Sequence, residues 1–219
     1  MSTEFLQQVQ AALQSIADPD RAKGMRAYMR DQFEYLGVPA PARRTALKMQ
    51  LRQLTGSGPA HLIALANELW DLPEREYQYA ALDLLDMHRK ELGITDIPAL
   101  LSLVVKRSWW DTVDALAGII GKVLRGQHEY MDDALAHENF WMRRIALLHQ
   151  LGWRGNTDSG KLYAYCLALA HEKEFFIQKA IGWALRDYAR HAPDEVRAFT
   201  RKHKDSLPAL SYREANKHI

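Results

Sequence analysis

A short pattern returns along this chain and limits what it can fold into: Gln78-Tyr79-Ala80-Ala81-Leu82, Val113-Asp114-Ala115-Leu116, Arg143-Arg144-Ile145-Ala146-Leu147 and Gln178-Lys179-Ala180-Ile181-Gly182. The spacing of roughly 30–35 residues is close to the period of two-helix solenoid repeats. Apolar residues between these points recur at helical spacing, as in Tyr79, Leu82 and Leu85, and no stretch alternates as a strand would. Breaks fall at Asp18-Pro19-Asp20, Gly37-Val38-Pro39, Gly56-Ser57-Gly58-Pro59, Leu72-Pro73, Gly126, Gly152 to Gly160 and Ala192-Pro193-Asp194, and they divide the chain into about a dozen short helices. The expected fold is all-α, a superhelical array of HEAT-like helical hairpins forming one domain over residues 1–219, with the second helices of the hairpins lining a concave surface. Tyr79, Asp114, Arg144 and Lys179 hold equivalent places in the pattern and are expected to form a row along it.

Composition narrows the function classes. A hydrophobic share of 47% beside 26% charged residues is the balance of a chain that folds alone. No apolar run is long enough for a membrane span, and no secretory leader is evident, so a cytoplasmic protein with no membrane partner is expected. The single cysteine, Cys166, cannot form an internal disulfide and suits a buried apolar role in a reducing compartment. A net charge of +2 permits a polyanionic partner without requiring one. The nine histidines make no metal-ligand cluster, and the sequence has no phosphate-binding loop, dinucleotide turn or nucleophile elbow. Neither a metal nor a cofactor is expected.

Chemistry concentrates in Trp109-Trp110-Asp111-Thr112-Val113-Asp114. Trp110 and Asp114 stand four residues apart, one above the other on a helix face, while Val113, Leu116, Ala117, Ile120, Val123 and Leu124 form the apolar stripe. An aromatic therefore adjoins a carboxylate. The same residues also fit two core tryptophans beside a solvated acid. Lys179, Trp183 and Arg186 present a second face that suits gripping phosphates while stacking on sugar or base, or an exposed helix packed by one tryptophan. Arg143, Arg144 and Arg154 offer bidentate donors for phosphate oxygens, with an ordinary charged helix face as the alternative. Arg43 and Arg44, followed by Lys48, stand at a helix start, where amides can help to hold a phosphate.

These residues resemble those of the AlkD-like DNA alkylation repair family, which are HEAT-repeat DNA glycosylases. The likeness spans nearly the whole chain: Tyr28-Met29-Arg30, Leu36-Gly37-Val38 leading to Pro41-Ala42-Arg43-Arg44, Ser108 to Asp114, Trp141-Met142-Arg143-Arg144, Phe175 to Trp183, and the ending Arg213-Glu214-Ala215-Asn216-Lys217-His218-Ile219. The resemblance implies an enzyme that excises N3- and N7-alkylated purines, such as 3-methyladenine and 7-methylguanine, from duplex DNA without a base-flipping pocket. Asp114 matches the family's catalytic aspartate, Trp110 and Trp183 its paired aromatics, and Arg144 its arginine near the DNA backbone. Tyr28 and Arg186 fall at positions that line the site. Pro39 and Ala40 depart from the pattern, since polar residues commonly stand there. The implied partner is double-stranded DNA carrying alkylated purines, bound by a monomer that needs no obligate protein partner. The competing reading is a non-catalytic helical-repeat module that binds DNA or serves as a protein-interaction scaffold.

Overall fold

The computed structural model describes residues 2–218, and the regular elements among them are helical: thirteen α-helices and two 3-10 turns joined by loops, with one isolated bridge between Glu34 and Glu74 in place of any strand. The helices are α1 (Ser2–Gln14), α2 (Pro19–Tyr28), α3 (Ala40–Arg52), α4 (Pro59–Trp70), α5 (Arg75–Met87), α6 (Ile97–Val104), α7 (Trp110–Leu124), α8 (Met131–Leu135), α9 (Phe140–Leu148), α10 (Ser159–Ala168), α11 (Phe175–Ala189), α12 (Pro193–Lys202) and α13 (Ala209–Ala215). They gather into two compact units, the first ending at Ala99 and the second beginning at Leu100. No helix among the described residues is long and apolar enough to cross a membrane.

The breaks seen in the sequence are where the helices begin and end. Asp18 caps α2 by accepting from the amides of Asp20 and Arg21, with Pro19 opening the helix. Asn139 caps α9 and Asp158 caps α10 in the same way. In the first unit α1 packs on α3 and α4, and α5 lies against α3 and α4. The start of α5 also anchors the loop that enters α3. The buried Glu76 carboxylate accepts from the amides of Leu36, Gly37 and Val38 at 2.9–3.0 Å, so the turn before Pro39 is held from below.

In the second unit α9 is central, packing on α7, α8 and α11, and α13 covers α11. The stripe anticipated for α7 is its buried face: Val113, Leu116, Ala117, Ile120, Val123 and Leu124. Two glycines inside helices set the approach of neighbours. A Cβ on Gly121 would stand 1.8 Å from the His149 carbonyl oxygen, so glycine lets α7 close against the end of α9. A Cβ on Gly182 would stand 2.4 Å from Cβ of Glu214, so glycine admits α13 onto α11. Each costs the helix about 1 kcal/mol in propensity, which close packing offsets. Cys166 is buried in α10, as its apolar surroundings required.

Candidate active site

Asp114 projects from the first turns of α7, one turn after Trp110, and meets Arg144 of α9. Arg144 donates from Nε to Oδ1 at 2.7 Å and from Nη2 to Oδ2 at 2.8 Å, a bidentate pair. Its remaining nitrogen, Nη1, donates to the carbonyl oxygen of Phe176 on α11. One guanidinium thus ties three consecutive repeat helices at a single point. The arginine side chain is 1% exposed, whereas the aspartate remains 22% exposed. The carboxylate is the part of the pair that faces outward.

Burial pushes the Asp114 carboxyl above its ordinary value; the hydrogen bonds and charge of Arg144 pull the other way, and the nearby Asp111 adds a small upward push. The two hydrogen bonds from the Arg144 guanidinium favour the ionised carboxylate against the burial that disfavours it.

Aromatic rings surround this pair. The guanidinium carbon of Arg144 lies 5.4 Å from the Trp183 ring centroid and 5.8 Å from that of Phe176. Beneath, Trp109, Trp141 and Phe176 pack with centroids 4.9–6.0 Å apart. The two tryptophans of the Trp109-Trp110 pair therefore divide: Trp109 joins this cluster, while Trp110 opens α7 half-buried, on the side that carries Asp114.

On α11, Lys179, Trp183 and Arg186 share a face as their spacing required. Both cations are engaged. Glu214 of α13 takes Lys179 Nζ on Oε1 at 3.0 Å and Arg186 Nη1 on Oε2 at 2.8 Å. Lys179 Nζ also stands 5.3 Å from the Trp183 centroid.

Tyr28, Arg43 and Arg44 belong to the first unit. Tyr28 is exposed at the end of α2 and lines a cavity of about 340 Å³ with Arg21, Met25, Tyr35 and Tyr79. The Tyr35 and Tyr79 hydroxyls are hydrogen-bonded at 3.1 Å. Arg43 is buried, donates to Asp83 Oδ2 at 2.8 Å and lies over the Tyr79 ring. Arg44 donates to Asp83 Oδ1 at 3.1 Å and keeps its side chain 68% exposed.

The sequence pointed to Arg144 and Arg43 as phosphate contacts, and the structure gives both a different surrounding. Both guanidiniums are buried against a carboxylate, Arg144 through two donors to Asp114 and Arg43 through Nε to Asp83. Arg44 alone of the Arg43-Arg44 pair offers an exposed guanidinium. Sequence reasoning missed Glu214 and Asp83 as the carboxylates that organise these cations. Within the repeat pattern, Asp114 and Arg144 meet directly, Lys179 joins them through the Trp183 ring, and Tyr79 lies in the first unit.

Comparison with known proteins gives the same direction. Residues 9–219 match the family model described as DNA alkylation repair enzyme. A solved structure described as a predicted DNA alkylation repair enzyme from Enterococcus faecalis is 32% identical, covers 93% of this chain and 96% of its own, and superposes with a TM-score of 0.86. The structure of smu.31 from Streptococcus mutans UA159 is similar in fold, at 19% identity and a TM-score of 0.61 over 81% of this chain and 94% of its own. No curated protein matches the chain.

Proposed function

We propose that this chain, which belongs to the DNA alkylation repair enzyme family and so has a role in DNA repair, is a glycosylase that releases cationic N3- and N7-alkylated purines from duplex DNA. The observation that carries the reading is the partly exposed Asp114 carboxylate, fixed by a buried arginine whose guanidinium lies against the Trp183 ring.

Alkylation at N3 or N7 leaves the purine positively charged. When the C1′–N9 bond breaks, its electron pair passes to the base, which departs neutral and needs little help from an acid. Positive charge grows instead on the deoxyribose, as in glycoside hydrolysis generally. A carboxylate offers about four lone-pair sites. Arg144 takes one on each oxygen and leaves the others for the sugar cation and for the incoming water. Water adds at C1′ and gives its proton to Asp114 or to solvent. Because Arg144 orients the carboxylate before substrate arrives, little reorganisation is needed as the charge develops.

Trp110 and Trp183 supply electron-rich faces to the cationic nucleotide, worth about 0.5–2 kcal/mol per ring depending on desolvation. Neutral bases gain less, so the site favours charged, labile lesions. Tyr28 and the exposed Arg44 serve the duplex from the first unit, Tyr28 by stacking and Arg44 by its charge. The monomer suffices, and no cofactor enters.

The test is release of free 3-methyladenine and 7-methylguanine from methylated duplex DNA, run beside a measurement of duplex binding. Release above the spontaneous rate is expected. Binding without release would make the chain a non-catalytic DNA-binding module, and neither would make it a scaffold.

A further inference from the structure

The ending of the chain contributes one side chain that the mechanism above leaves unused. Glu214 reaches across from α13 and accepts from two cations on one face of α11, Lys179 at 3.0 Å and Arg186 at 2.8 Å, which flank Trp183 in the helix. Each carboxylate oxygen takes one cation. The Lys179 hydrogen bond, helped by the charges of Lys179 and Arg186, holds the Glu214 carboxyl below the usual range, so it is fully ionised at neutral pH. The contact depends on Gly182, since a side chain there would collide with the Glu214 stem.

We infer that Glu214 is a positioning residue that screens Lys179 and Arg186 and holds Lys179 where it meets the Trp183 ring, so that this face meets a cationic nucleotide with an aromatic plane rather than two uncompensated positive charges. The inference rests on the glycosylase reading for its consequence, lesion selectivity, but not for its geometry. Two unscreened cations beside Arg144 would strengthen binding to any duplex through phosphate attraction. They would also oppose the positive charge of the alkylated base, which the reaction needs to keep close until the bond breaks. With Glu214 in place, the three charged groups carry a single net positive charge between them. The Trp183 centroid lies 5.4 Å from the Arg144 guanidinium carbon and 5.3 Å from Lys179 Nζ. Losing Glu214 would free Lys179 to leave the indole and so change what the ring packs against. A misplacement of that kind costs rate out of proportion to any loss of affinity.

The experiment uses Glu214→Gln in the full chain, with four readouts: the thermal midpoint, the NMR resonance of the Trp183 indole N–H (identified by its loss in Trp183→Phe), the slope of log affinity against log salt on undamaged duplex, and the single-turnover release of 7-methylguanine. A midpoint near the parent's, a displaced indole resonance, a salt slope steeper by about 1–2, and release slower by roughly tenfold to a hundredfold are expected. An indole resonance and salt slope identical to the parent's would overturn the inference. So would a fall in midpoint and rate with the slope unchanged, because that is what mere support of α13 would give. If the parent itself releases no 7-methylguanine, the glycosylase reading fails, and the indole resonance and slope still decide the role of Glu214. If Glu214→Gln does not fold, Lys179→Met and Arg186→Met carry the test. Each should reduce the salt slope by well under the value of about 0.9 that a full phosphate contact gives, and a full-sized reduction in either would contradict screening by Glu214.

Discussion

Two aspartates organise arginines in this molecule, and they do so in opposite senses. In the second unit one guanidinium takes both oxygens of Asp114, and the carboxylate is the more exposed partner, at 22% against 1%. In the first unit Asp83 is the buried member beside Arg44, and it divides its two oxygens between Arg43 and Arg44. The first arrangement sums to zero and turns an acid outward; the second sums to one positive charge and turns a guanidinium outward. Both use an aromatic ring beside the arginine, Trp183 in one case and Tyr79 in the other. The same three residue types thus build a place for a cation at Asp114 and a place for an anion at Arg44.

The largest expected difference between the two lies in chemistry. Asp114→Asn should lower release of 7-methylguanine by about 10²–10³, the range for losing one preorganised electrostatic contact, while duplex affinity stays near the parent's. Asp83→Asn should leave the single-turnover rate of the folded fraction unchanged. Its effect belongs to stability: Arg43 is left buried with a weaker acceptor, and denaturant unfolding should show a loss of about 2–3 kcal/mol. A rate loss at Asp83 equal to that at Asp114 would erase the contrast. Smaller still is Arg44→Ala, which should reduce the salt slope of duplex binding by up to about 0.9 at nearly constant melting temperature. An unchanged slope would remove Arg44 from the DNA-facing set.

The smallest effect concerns pH. The Asp114 carboxyl titrates above its ordinary value, chiefly through burial, and the proposed reaction uses its ionised form. Release should therefore fall as pH is lowered through that raised value. Removing the charge of Asp111 takes away one of the upward pushes, so Asp111→Asn should move this acidic limb to lower pH. A limb that moves upward would contradict the assignment to Asp114.

Much of this architecture can be read from the sequence because helix burial is periodic. The α7 stripe from Val113 to Leu124 and the turn residues around Asp18-Pro19 announce themselves locally. The repeat pattern also aligns Asp114 with Arg144, thirty residues apart, before any contact is known. What local pattern does not reveal is which charge neutralises which. Arg43 and Arg144 look like surface cations in sequence, yet each is buried against an aspartate from another helix. Glu214 is hidden for the same reason: nothing near it names Lys179 and Arg186 as partners. The available signal was indirect. Gly121 and Gly182 each interrupt a helix at a close neighbour, whereas Gly118 in α7 and Gly24 in α2 meet nothing, so the sequence alone does not tell the two kinds apart. Gly182 lies beneath Glu214, and Gly121 lies against the end of α9.

The central claim is that a partly exposed carboxylate, fixed by a buried arginine that lies against tryptophan, serves a positively charged nucleotide. The most direct measurement places 7-methylguanine and uracil in the same duplex sequence and follows release of each by the parent protein and by Asp114→Asn. The account predicts enzymatic release of 7-methylguanine alone, abolished or nearly so by the substitution. Release of uracil at a comparable rate, or of 7-methylguanine at the same rate with and without the Asp114 carboxylate, would contradict it.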